Sequence, residues 1–186
     1  MEFPEHPFWD FALDVYRREG VGAACLHLQD RHGVDVNVML FCLWLGASGR
    51  GVMTGDELQA LNAATANWHR NVVRRLRAVR QVLKDGFADA PEDLCERLRG
   101  QVQAVEIDSE HLEQLMMAAA VDRPPTADDQ ADDAGARAAS LNFDLYLDDL
   151  GIAFEPADAV QFAHILGQTF PGLSPGRALD LAEVLM

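Results

Sequence analysis

Asp56 to Asp85 runs for thirty residues without a glycine or a proline, and apolar residues return in it every three or four positions. Leu58, Leu61, Thr65, Trp68, Val72, Leu76, Val79 and Leu83 fall within roughly 40° of one line when each residue turns by about 100°. That pattern predicts one long helix over Thr54 to Leu83. Thr54-Gly-Asp-Glu57 supplies a capping box at its start, the threonine accepting from the first turn and the glutamate reaching back. Arg70, Arg74, Arg77 and Lys84 fall on the side away from the stripe, and Arg75 and Arg80 fall nearer its edges.

A second stripe follows. Leu94, Leu98, Val102, Val105, Leu112 and Met116 share a face, with Ser109 the one polar interruption. It predicts a helix from Pro91 to about Ala120, joined to the first by the short Asp85 to Ala90 break. Two amphipathic helices with a short connection form an antiparallel hairpin, with the apolar stripes expected to face each other. On that register Arg80 is expected level with Glu96 and Arg70 level with Glu106.

The N-terminal part reads as three shorter helices. Pro7 to Glu19 ends at Gly20, and Gly22 to Arg31 ends at Gly33, glycine being the usual helix stop. Asp35 is a good N-cap for a third helix to Ala47. Val36 to Leu45 is apolar almost all round, which places that helix in the middle of a bundle. Asp122 to Ala139 carries Pro124, Pro125 and an acidic run with no large apolar residue, and it is expected to be a flexible linker. Short helices are expected after it, over Leu141 to Leu150, Pro156 to Thr169, and a last segment capped by Ser174. The expected fold is all-α: a helical bundle over 1–121, an acidic linker over 122–139, and a short helical segment over 140–186.

Charge and cysteine usage exclude some functions. The formal charge of −15 opposes general binding to nucleic acid or anionic lipid, because phosphates would be repelled. The longest apolar run, Val38 to Leu45, is far short of the roughly 20 residues of a membrane span. The first residues lack a basic region followed by an apolar run, so no secretory leader is expected. Cys25, Cys42 and Cys95 are odd in number, far apart and in apolar settings. They read as reduced, buried thiols of a cytoplasmic protein.

Two groups of residues are candidates for function. From Trp68 to Lys84 there are six cationic side chains and no acidic one, whereas the rest of the chain has nine cations and thirty acids. Arg70, Arg74, Arg77 and Lys84 therefore form a basic face for an acidic or phosphate-bearing partner, or else a solvated helix back. Gln29, Asp35 and Asn37 gather at the turn before the apolar third helix. They act as caps, or as the polar floor of a pocket walled by Trp44 and Trp68. No cofactor and no metal is expected. The six histidines are scattered, Asp108-Ser-Glu-His111 has no second copy, and there is no His-Glu-x-x-His or Cys-x-x-Cys. The glycines at 46, 49, 51 and 55 lack the Gly-Lys-Ser/Thr ending of a phosphate loop.

Phe8-Trp9, Tyr16, Leu28-Gln29, Gly33, Asp35-Val-Asn37, Leu40-Phe41, Trp44, Trp68, Val72-Val73, Leu76-Arg77, Arg80 and Lys84 resemble a family of short proteobacterial proteins of unknown function, of the kind pseudomonads and vibrios carry. The resemblance covers about Phe8 to Leu115. It implies a helical, cytosolic protein and carries over no catalytic residue. The leading expectation is a non-enzymatic interaction or regulatory protein that binds a protein partner through the basic face or the apolar C-terminal helices. The competing one is a small-molecule-binding or catalytic bundle with its pocket near the turn between the second and third helices.

Overall fold

The computed structural model describes residues 3–87, 89–125 and 132–186. Among them there is no strand, and the fold is all-α. Three short helices, α1 (Pro7–Arg17), α2 (Val21–His32) and α3 (Val36–Ala47), precede a hairpin. Its first arm is α4 (Gly55–Trp68), a π-turn (His69–Val73) and α5 (Arg74–Asp85), and its second is α6 (Glu92–Ala120). Then come α7 (Asp132–Leu150), α8 (Pro156–Thr169) and α9 (Pro175–Glu183). No described helix is long and apolar enough to cross a membrane.

Local signals set the ends. Asp35 accepts from the Asn37 N–H at 2.9 Å to cap α3, and the Thr54–Glu57 capping box opens α4. Gly20 and Gly33 adopt left-handed φ of 75° and 73° at either end of α2, a region that disfavours side chains with a Cβ.

α3 is the centre, with every residue from Asn37 to Gly46 buried. α7 crosses it at contact distance. A Cβ on Gly46 would lie 2.3 Å from the Gly135 carbonyl oxygen and 2.8 Å from the Ala139 nitrogen. This explains a difference from the expected linker. Residues 126–131 lie outside the described residues, but Asp132 to Ala139 already form the first turns of α7. Gly135, Ala136, Ala138 and Ala139 are buried there, so small residues pack against the core in a stretch expected to be a linker.

The C-terminal helices share the same core. Phe143 and Phe162 pack at 4.7 Å, and Phe162, Ile165 and Leu166 are fully buried. The buried carboxylate of Asp158 on α8 meets His32 at 3.0 Å and Arg31 at 3.4 Å on α2. Most of the large apolar side chains of these helices are buried, while Leu141, Leu150, Val160 and Val184 are exposed.

The hairpin is antiparallel, but its seam is not the expected one. The π-turn inserts one residue into the ladder, which rotates everything after it by about 100°. Val73, not Val72, is fully buried, Arg77 swings toward α6 instead of away from it, and Arg80 moves from the edge into the seam. α6 answers with polar side chains. Its buried residues are Glu106, Ser109, His111, Glu113, Gln114 and Met117. Arg80 accordingly bonds Glu106 rather than Glu96. The expected apolar stripe of α6 faces water at its N-terminal end, Leu94, Leu98 and Val105 each being about half exposed.

Candidate functional site

Three elements deliver one cluster. The cap of α3 supplies Asp35, the first residue of the π-turn supplies His69, and the buried side of α6 supplies Glu113. Asp35 Oδ2 lies 2.8 Å and Glu113 Oε1 3.1 Å from the same atom, His69 Nδ1. The other oxygen of each carboxylate is held by one residue. The Asn37 backbone N–H donates to Asp35 Oδ1, and its side-chain nitrogen donates to Glu113 Oε2 at 2.8 Å. Asn37 is itself fixed by Gln114, which donates to its Oδ1 at 2.8 Å. The Asp35 N–H donates to the Tyr146 hydroxyl oxygen at 3.0 Å, bringing α7 to the same place.

Burial works against the charged form of His69, but the hydrogen bonds and charges of Asp35 and Glu113 outweigh it and raise its pKa to about 10. Burial pushes the fully enclosed Glu113 carboxyl up, against the pull of His69 and Asn37. Burial also raises the Tyr146 phenol, with the Asp35 charge adding to it. The surroundings therefore favour a protonated His69 imidazole and a phenol that retains its proton.

A second network lies beside it. Arg77 donates to Gln29 at 2.5 Å, Glu110 at 2.7 Å and Glu106 at 3.3 Å, and Arg80 donates to Glu106 at 2.5 Å. Arg77 thus ties α5 to both α2 and α6. It is not part of an exposed basic face, because the π-turn has moved it to the seam.

A groove of about 1050 Å³ opens over both networks. Asp35, His69 and Tyr146 line one end of it, and Gln29 and Arg77 line its wall. Arg70, Arg74 and Lys84 line it too, Arg70 and Arg74 following His69 on the same helical arm and Lys84 lying about 15 Å beyond Arg74 along it at 1.5 Å per residue. Arg70, Arg74 and Lys84 are exposed, and none has an ion-pair partner among the described residues. The groove thus joins the two candidate groups, with Gln29 and Asp35 from the turn and Arg70, Arg74, Arg77 and Lys84 from the basic run.

Asn37 stays behind this surface as the residue that orients both carboxylates. Trp44 and Trp68 are not walls of the groove. Trp44 packs on Phe8 and Phe41 with Arg50 over its ring at 4.2 Å, and the Trp68 indole donates to the Ser109 carbonyl at 3.0 Å.

His69, Glu113 and Tyr146 did not stand out in the sequence. They are far apart in the chain, and no local spacing links them. The one trace was Ser109, the polar break in the expected stripe of α6, which belongs to the polar seam that includes Glu106 and Glu113.

No curated protein and no solved structure significantly matches this chain. Residues 7–117, which carry Asp35, His69 and Glu113 together with Arg70, Arg74 and Lys84, match the family described as a protein of unknown function (DUF2390), and the chain belongs to that family.

Proposed function

We propose that the groove binds a small anionic ligand, one bearing a phosphate or carboxylate group. The observation that carries this reading is the state of Arg70 and Arg74. In a chain with thirty acidic residues, these two arginines line the same groove as His69 and have no acidic partner among the described residues. Arginine forks match planar oxyanions in pairs of hydrogen bonds. The ligand's anionic group sits between Arg70 and Arg74, and its body extends along the groove past Gln29 toward Lys84. Tyr146 and Asp35 at the near end offer a donor and an acceptor to a neutral polar group of the ligand.

Calorimetry on chelator-treated protein tests this, with inorganic pyrophosphate and citrate as probes of the two anion chemistries. Saturable binding by wild type, weakened about tenfold or more in Arg70→Glu/Arg74→Glu, is the expected result, since each lost charge-assisted contact is worth about 1.5–3 kcal/mol. Absence of saturable binding for both probes, or equal binding by the variant, overturns the reading.

A second reading, contact with a protein partner, is favoured by a different observation. Counted around each helix from the seam, Val79 and Val82 of α5 and Leu94, Leu98 and Val105 of α6 fall on the same side of the hairpin, and each is about half exposed. Contiguous apolar surface of this kind marks interaction sites. A second copy of the chain offering the same face completes a four-helix arrangement with twofold symmetry. Sedimentation equilibrium separates the outcomes: a dimer dissociated by Val79→Glu/Leu98→Glu supports this reading, and a monomer at all concentrations removes self-association.

A further inference from the structure

We infer that Asp35, His69 and Glu113 form a binding site for one divalent transition-metal ion of the zinc or manganese class, with its open coordination positions facing the groove. The inference uses none of the arginines of the anion reading and stands or falls separately from it.

Geometry comes first. One imidazole nitrogen and two carboxylate oxygens, from three different elements, all lie within 4.8 Å of one another. Two of the separations are 2.8 and 3.1 Å. Ligands held about 2.0–2.2 Å from a tetrahedral ion stand about 3.4 Å apart, so the two separations to His69 Nδ1 need to open by roughly 0.3–0.6 Å to admit one. The donor set of one nitrogen and two oxygens suits zinc, manganese or iron rather than copper(I) or an iron–sulfur cluster.

Support behind the ligands comes second. A carboxylate ligand needs its other oxygen tied down so that the first is aimed. Asn37 does this for both carboxylates, with its backbone N–H on Asp35 and its side chain on Glu113, and Gln114 fixes Asn37 in turn. Each carboxylate is left with one oxygen, and both of these point at His69 Nδ1. A cap or a surface ion pair would not require that arrangement.

Charge comes third. Two acidic side chains converge on one imidazole nitrogen, and Glu113 is entirely cut off from solvent. Two carboxylate ligands match the charge of one divalent ion. Glu113 forms the closed back of this site, while Asp35 and His69 line the groove. The three protein ligands therefore occupy one side of the ion. The other side is left to water or to a ligand oxygen, the pattern of an open rather than a structural site.

The test uses the full chain, treated with chelator and exchanged into chloride buffer, with zinc chloride and manganese chloride titrated separately by calorimetry. The expected result is one ion per chain and a higher melting temperature with metal. Asp35→Asn keeps the helix cap but removes the charge, and it is expected to weaken binding at least tenfold. His69→Gln is expected to abolish binding. Asn37→Ala, which leaves all three ligands in place, is expected to weaken it about 10–100-fold. Circular dichroism of each variant separates lost binding from lost folding. A second readout needs no variant: bound manganese is expected to broaden the His69 imidazole signals and to leave those of the exposed His164 sharp. Absence of saturable uptake by wild type, uptake unchanged in both Asp35→Asn and His69→Gln, or broadening centred on other histidines overturns the inference.

Discussion

The two halves of the hairpin are continuous helices with opposite surroundings. In the half next to α3, α4 buries Leu58, Leu61 and Thr65, and α6 buries six residues from Glu106 to Met117. In the far half, from Arg74 to Val105, no described residue is buried. Yet the buried positions of α6 are mostly polar, Met117 being the one apolar residue among them. The buried half carries Glu106, Ser109, Glu113 and Gln114, while the bare half carries Leu94, Leu98 and Val105. Polar groups in a core are normally partnered. The seam pairs Arg80 with Glu106, and His69 and Asn37 with Glu113, while His111 Nε2 and Gln114 Oε1 are buried without a hydrogen-bond partner among the described residues. Nothing in such an arrangement is chosen for stability alone. The near half is built around specific polar contacts, and the far half is an arm that offers apolar surface.

The most severe way to break the near half is to push α7 off α3. Gly46→Ala places a methyl group 2.3 Å from a backbone oxygen and 2.8 Å from a backbone nitrogen, and neither can turn aside as a side chain would. A loss of about 3 kcal/mol is expected in urea unfolding, at the upper end of overpacking effects. The gain in helix propensity on replacing glycine offsets only about 1 kcal/mol of the clash.

Glu106→Ala sharpens the comparison at the junction of the halves. It removes the acceptor of both Arg77 and Arg80, and these are only a quarter to a third exposed. Breaking a fully buried pair costs about 3–5 kcal/mol, and the residual exposure of the arginines brings the expected loss down to about 2 kcal/mol. Glu96→Ala on the arm removes an exposed partner of Arg99, and no change in the urea midpoint is expected, as for most surface pairs.

Acid offers a third contrast. Burial alone would raise the pKa of Asp158. The Glu155 N–H, His32 and Arg31 outweigh that burial and hold it below the usual aspartate value. A depressed folded pKa contributes stability that is present above the unfolded value of about 3.9 and is lost as pH falls through the folded one. The stability contributed by the Asp158 charge, read as the difference between wild type and Asp158→Asn, is therefore expected to begin to shrink below about pH 5. Hydrogen exchange should show α2 and α8 loosening first in acid, with the arm unaffected. A pH-independent difference would mean that Asp158 acts through packing and not through its charge.

Much of this was legible because it is local. Asp35, Thr54 and Ser174 cap helices through contacts two or three residues away, and Gly20 and Gly33 set φ by themselves. α3 announced its place by being apolar on every side. Three features were not legible, each because it depends on partners distant in the chain. A π-turn leaves no periodic mark of its own: the stripe through Trp68, Val72 and Leu76 fits an unbroken helix, and only packing shows that Val73 took the buried position. With the phase shifted, Arg77 could not be placed. The polar face of α6 read as solvent-facing, because glutamate and glutamine are buried only where something such as His69 or Asn37 meets them. α7 was hidden for a third reason, since glycine and alanine give no hydrophobic signal even when they form the tightest contact in the core. The candidate cluster sits where the first two of these meet.

The smallest effect bears most directly on the arm. Gly100 lies in the exposed half of α6, and a Cβ built there meets nothing within 4 Å. Gly100→Ala removes backbone freedom from the unfolded chain and adds helix propensity, so it is expected to stabilise by about 0.5–1 kcal/mol. The same exchange is thus expected to have opposite signs at Gly46 and Gly100. Because the arm buries little, it opens by local fluctuations well below the global unfolding free energy. The gain should therefore appear as slower amide exchange over Glu92 to Val105 before it appears in the urea midpoint. Should Gly100→Ala instead destabilise the protein in solution, some surface must lie against that residue. The arm would then be a covered element and the half-exposed Leu98 a contact, and the difference between the two halves would belong to the isolated chain and not to its working assembly.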